Sequence, residues 1–186
     1  MAFVSQSQLD EVIERYGEPE TSSFRIESTP EEVARIQSSQ KHGRNHDVTV
    51  YAIKDDRIIV IAKHFYPPEL YRAPSGGIKP GESIEAGALR EMWEETGCRV
   101  ELERFLLMTD AVFTSGENSV EWRSFVFLAR YVEGDFEFTD TDEIRSVTLV
   151  DWSDFETFGR IMRRTDIGGL HYRAALHETV AELMGR

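Results

Sequence analysis

The 186-residue sequence holds a single cysteine, Cys98, and only six prolines. One cysteine excludes an internal disulfide framework, and no Cys/His cluster has the spacing of a structural zinc site. Long hydrophobic runs are missing too. Ile58–Ala62 and Phe125–Ala129 are the longest, far short of the ~20 residues of a membrane span. Met1 to Asp10 lacks the basic flank and apolar stretch of a secretory signal, so a cytoplasmic location is expected. Cations are scarce: 21 Lys and Arg stand against 34 Asp and Glu, a net charge of −13. A field of that sign repels nucleic acids and anionic membranes, and neither is expected as a partner. An acidic protein still binds polyanions where it holds divalent cations.

There is no internal repeat and no low-complexity tract. The length suits one domain with an appendage, and residues 1–45 are expected to form an N-terminal extension: helix, short strand, helix. Leu9, Val12 and Ile13 recur at helical spacing over Gln6–Tyr16, and Gly17-Glu18-Pro19 stops the helix. Thr21–Ser28 reads as a short strand. Thr29-Pro30-Glu31-Glu32 reads as a helix start, and Lys41–His46 as a polar linker.

From Asp47 the pattern changes. Val48–Ile53 and Arg57–His64 form a hairpin pattern around Lys54-Asp55-Asp56. Pro74 to Gly81 reads as a loop. Ser83 caps a helix that ends at Thr96-Gly97. Strands are expected at Val100–Met108, Val120–Val132 and Arg145–Asp151, a second capping box at Ser153–Glu156, and an amphipathic helix over Leu170–Met184. Strands flanking an interior helix, with helices at both ends, predict a mixed α/β or α+β layer fold.

At ~100° per residue, Glu91, Glu94 and Glu95 share an arc of about 100° on one helix face. Gly87 falls within the arc and is expected to leave room beside the carboxylates, while Arg90 lies at its edge. Clustered carboxylates repel unless a cation sits among them, and hard oxygen donors suit Mg²⁺ or Mn²⁺.

The full spacing is Gly76, five residues, Glu82, seven residues, Arg90-Glu91-Met92, one residue, Glu94-Glu95, one residue, Gly97-Cys98. In this the sequence resembles the Nudix hydrolase superfamily, matching its box at every defined position. The resemblance implies the Nudix fold, an α/β/α sandwich around a mixed β-sheet, with residues 46–186 as the Nudix domain and its C-terminal helix. It implies metal-binding carboxylates at Glu91, Glu94 and Glu95, and a metal-binding backbone carbonyl at Ser75. Gly76, Glu82, Arg90 and Gly97 take structural positions of the box, with Glu82 and Arg90 pairing loop to helix. Cys98 holds the final aliphatic position.

The implied reaction is metal-dependent hydrolysis, with Mg²⁺ or Mn²⁺, of a nucleoside diphosphate linked to a group X, giving a nucleoside monophosphate and phospho-X. Catalytic candidates are Glu94 and Glu95, with a base either from the box itself or from a later acidic loop, Glu143 first and Asp142 second, with Glu117 and Glu121 in an earlier loop. Phe113 stands where some ADP-ribose hydrolases have proline, and the tyrosine associated with dinucleoside polyphosphates is missing around Thr114–Gly116. The N-terminal extension and Pro74-Ser75-Gly76-Gly77-Ile78 lean towards ADP-sugar hydrolases. Arg72 and Tyr71 are the expected substrate-binding residues, followed by Lys63, Phe65, Tyr66, Trp122 and Phe125. A small-molecule nucleotide is the expected partner, and a homodimer is allowed for. The histidines are read as solvent-exposed. The alternatives are a non-catalytic ligand-sensing domain, which ordinarily loses box carboxylates, and an isoprenoid diphosphate isomerase, for which Cys98 is misplaced.

Overall fold

A computed structural model describes residues 4–40 and 43–186. The elements run α1 (Gln6–Tyr16), β1 (Glu20–Glu27), α2 (Pro30–Ser39), β2 (His46–Lys54), β3 (Arg57–Lys63), β4 (Ser75–Gly76), α3 (Ile84–Thr96), β5 (Cys98–Ser115), β6 (Asn118–Gly134), β7 (Ile144–Val150), α4 (Asp154–Arg163) and α5 (Gly168–Leu183).

Seven strands form one mixed sheet in the order β1-β5-β6-β2-β3-β7, with β4 paired to β2. β1–β5 and β2–β6 are parallel, and the β5–β6, β2–β3, β3–β7 and β2–β4 pairs are antiparallel. Two apolar layers sandwich the sheet. On one face, Val12 of α1 and Ile84, Ala88 and Met92 of α3 pack on Val48, Val50, Phe105 and Phe127. On the other, Val33 of α2, Phe155 and Met162 of α4, and Leu170, Leu176 and Val180 of α5 pack on Tyr51, Val60, Leu107 and Val126. The result is the expected α/β/α sandwich.

Capping explains the helix starts. Ser5 and Gln8 make a reciprocal capping box at α1, Thr29 caps α2 ahead of Pro30, and Ser83 accepts from the Ala86 N–H at α3. The box expected at Ser153 is absent, because Ser153 has helical backbone angles and makes no side-chain cap bond. Asp154 instead turns back to accept from the Asp151 N–H at 2.9 Å.

β2, β5 and β6 are longer than expected. β5 continues to Ser115, and its added part, from Thr109, supplies most of the Leu107–Thr114 stretch that pairs with β1. The N-terminal segment therefore contributes a strand, β1, to the same sheet as the rest. α1 also docks on α3: the Tyr16 hydroxyl donates to Glu85 at 2.7 Å and Arg15 pairs with the same carboxylate.

The linker assigned to Lys41–His46 is partly corrected. Lys41 and His42 lie outside the described residues, and His46 opens β2, where it is 2% exposed. His177 is equally buried, so the reading of the histidines as exposed fails for both. Burial lowers His46 to about 4 and holds His177 well below its ordinary range.

Candidate active site

α3 presents its acidic face beside the short β4 strand. The helix is held there by its apolar face, and its end is fixed by Gly97 in the left-handed conformation at φ 67°. A side chain at Gly97 would also run into the Glu137 backbone. Arg90 fastens the preceding loop: it donates to Glu82 from two nitrogens, each at 2.8 Å, and to the Gly77 carbonyl at 2.8 Å. Burial tends to raise the Glu82 carboxyl, but the Arg90 hydrogen bonds, the Lys79 N–H and the charges of both residues together hold Glu82 below the usual range. Glu82 and Arg90 thus join the loop to the helix.

Arg90 is not at the edge of the acidic face. It also donates to Glu91 at 2.6 Å and to Glu94 at 2.8 Å, bridging two of the three carboxylates. The role assigned to Gly87 is likewise corrected. A methyl group there would press on Ile78 and Glu82, so Gly87 seats the loop rather than the carboxylates. Gly76 is the residue that makes room for Glu91, since a methyl group at Gly76 would overlap that carboxylate.

The three carboxylates differ in access to water. The side chains of Glu94, Glu91 and Glu95 are 37%, 14% and 3% exposed. Burial raises Glu91 and lifts Glu95 to about 7. Glu95 accepts from the Ser75 N–H at 2.7 Å, and Arg72 lies 3.6 Å from its other oxygen.

Glu91, Glu94, Glu95 and Ser75 line one cleft of about 410 Å³, with Lys63, Lys79, Asp140 and Glu143 around it. Glu143 pairs with Lys63, whose hydrogen bond holds the carboxyl below its ordinary range. Glu117, Glu121 and Asp142 do not line this cleft. Among the described residues, no three His, Cys, Asp or Glu side chains are arranged as they stand to hold a metal ion. The donor types still suit a hard divalent ion: three carboxylates line one cleft, and burial lifts one of them to about 7 despite Arg72 and Lys63 nearby. Glu91, Glu94 and Glu95 with the Ser75 backbone would hold it.

A second recess, of about 280 Å³, shares Asp47, Lys63, Arg72, Trp122 and Arg173 with the cleft. Phe65, Tyr66, Phe113 and Leu170 add apolar walls. Arg72 stands between the two, 3% exposed, donating to the Tyr66 hydroxyl at 2.9 Å and to the Ser75 hydroxyl at 2.6 Å. Tyr71 lies apart: it packs on Phe158, accepts from Ser146 at 3.3 Å, and lines neither space. Phe125 is buried in the core. Sequence reasoning missed Asp47 and Arg173, which pair across 126 positions of chain; Arg173 also donates to Thr49 at 2.9 Å. A contact that distant leaves no local pattern.

With this geometry in hand, the NUDIX domain profile matches residues 43–166. The chain belongs to the NUDIX family. A diphosphoinositol polyphosphate phosphohydrolase, type 3-alpha, of Mus musculus is 27% identical over 107 residues, covering 58% of this chain and 53% of that protein. The chain spans about half the length of that relative. Nudix hydrolase 25 of Arabidopsis thaliana is 36% identical over 55 residues, covering 30% of this chain and 31% of that protein. A solved NUDIX hydrolase from Nitrosomonas europaea superposes with a TM-score of 0.53 at 19% identity, covering 74% of this chain and 90% of that one, a likeness of fold.

Proposed function

We propose that the protein hydrolyses the diphosphate linkage of a nucleoside diphosphate derivative, with ADP-sugars as the leading class, in a reaction dependent on Mg²⁺ or Mn²⁺. The observation that carries this reading is the cleft itself. Three α3 carboxylates share it with lysines and arginines, and it opens into a recess with aromatic walls. A divalent ion held by the carboxylates supplies charge neutralisation of the diphosphate and a more acidic water. The chain's own groups do the rest. Arg72 and Lys63, which line both cleft and recess, would meet the phosphate oxygens. Phe65, Tyr66 and Trp122 offer ring surface to a base or sugar. Glu143, kept ionised by Lys63, accepts a proton from or orients the attacking water.

The test is a panel of ADP-sugars, UDP-sugars, dinucleoside polyphosphates, nucleoside triphosphates and diphosphoinositol phosphates, assayed for phosphate-containing products. Turnover of an ADP-sugar is expected. Excess chelator abolishes it, added Mg²⁺ or Mn²⁺ restores it, and the ion raises the melting temperature because it binds the folded state. Full turnover in chelator would remove the metal from the proposal.

A further inference from the structure

Six cations line the acidic cleft: Arg44, Lys63, Arg72, Lys79, Arg90 and Arg173. Five have a carboxylate partner. Lys63 pairs with Glu143, Arg72 with Glu95, Lys79 with Glu94, Arg90 with Glu82, Glu91 and Glu94, and Arg173 with Asp47. Among the described residues, no carboxylate lies within ion-pair distance of Arg44. One of its terminal nitrogens donates to the Ser39 carbonyl at 3.2 Å, at the end of α2. Its Nε is buried and has no hydrogen-bond partner.

The backbone makes room for this guanidinium. A methyl group on Gly77 would overlap both the other terminal nitrogen and the central carbon of Arg44. Gly77 is not in the left-handed region, so its backbone does not require glycine. What the missing side chain supplies is space. The Gly77 carbonyl meanwhile accepts from Arg90, which fixes this stretch of loop. Gly76 admits the Glu91 carboxylate and Gly77 admits the Arg44 guanidinium, so consecutive glycines bring one acid and one base against the same loop.

A buried guanidinium N–H left without an acceptor costs stability, and a charged acceptor is the partner such a donor fits best. The lining carries six acidic groups against the six cations. Among the described residues, Arg44 is the cleft cation that has no carboxylate partner competing with a ligand, whereas Lys63 and Arg72 would have to share theirs. We propose that Arg44 is a specificity-determining ligand for the substrate's diphosphate, set against Gly77 by the end of α2 and donating to a non-bridging phosphate oxygen. The inference rests on the hydrolase reading only in taking a diphosphate as the ligand.

The experiment titrates methylenediphosphonate, a diphosphate mimic that cannot be cleaved at its bridge, into the full chain in excess Mg²⁺ by calorimetry. Wild type and Arg57→Ala, an exposed control at the start of β3, bind alike. Arg44→Ala binds at least tenfold more weakly at an unchanged melting temperature, and Arg44→Lys recovers only part because an ammonium lacks the planar fork. Should alanine lower the melting temperature, Arg44→Gln replaces it with the side-chain stem kept. Gly77→Ala weakens binding in the wild-type background and adds nothing in Arg44→Ala, where the displaced group is already gone. Wild type that does not bind the mimic, or Arg44→Ala within twofold of wild type, overturns the inference. If the panel shows turnover whose KM is untouched by Arg44→Ala, Arg44 loses its role and the hydrolase reading stands. If no compound is turned over but the mimic binds through Arg44, the hydrolase reading falls and the phosphate site stands.

Discussion

Glu95 has the least access to water of the three α3 carboxylates, and its carboxyl is lifted to about 7. Its charge therefore opposes folding above that pH when no cation is present. The folded value lies above the unfolded one, so the penalty is full at pH 8 and fades as pH falls towards about 4.5. In chelator, Glu95→Gln is expected to be more stable than wild type at pH 8 by up to about 3 kcal/mol, with the gain gone near pH 4.5. Urea melts at several pH values check it; equal stability at pH 8 would mean the Ser75 N–H and Arg72 already compensate the charge. With metal present the same change, like Glu94→Gln, should cut the rate more than about tenfold, roughly 1.4 kcal/mol of barrier. Glu143→Gln should lower kcat and leave KM nearly alone, while Glu117→Gln and Glu121→Gln, outside the cleft, should be mild. Steady-state kinetics on the substrate found by the panel decide it. Loss of rate in Glu121→Gln beside a normal Glu143→Gln would shift the base to the earlier loop.

α3 could be read from sequence because everything that fixes it is local: Ser83 at the start, Gly97 at the end, and apolar positions every third or fourth residue between. The acidic face followed from the same periodicity. Arg90 was placed by angle alone at the edge of that face, but its length carries the guanidinium across to Glu91 and Glu94. The end of β5 was missed for a different reason. Thr109, Asp110 and Thr114 interrupt the apolar pattern and suggest a turn. The Thr109 hydroxyl is satisfied by Tyr172 of α5, and Asp110 by Arg123 at 2.7 Å across the β5–β6 pair. Such partners lie far off in sequence. Gly97 offers the sharpest local test. Alanine there meets both a left-handed backbone and the Glu137 main chain, which cannot swing aside as a flexible side chain does. A loss of more than about 1–2 kcal/mol is expected in chemical denaturation, and an unchanged midpoint would mean the 134–137 turn gives way.

For the molecule as a whole, the N-terminal segment decides how the sheet ends. β1 covers the outer edge of β5 from Leu107 to Thr114. Removing residues 1–43 would expose that edge, a row of unpaired N–H and C=O groups, and would take Val12 and Val33 out of the two apolar layers. The shortened chain is expected to melt at lower temperature and to self-associate, as light scattering would record. A monomeric chain of unchanged stability would show that β1 adds little to the sheet.

α1 and α2 lie on opposite faces of the sheet, with β1 rounding its edge between them. This single strap ties together two layers that the sheet otherwise separates. Any excursion that peels β1 from β5 must loosen the α1–α3 side and the α2–α5 side together. Hydrogen–deuterium exchange should therefore find the β1 amides opening in step with those of both helices, as one cooperative unit passing through the sheet.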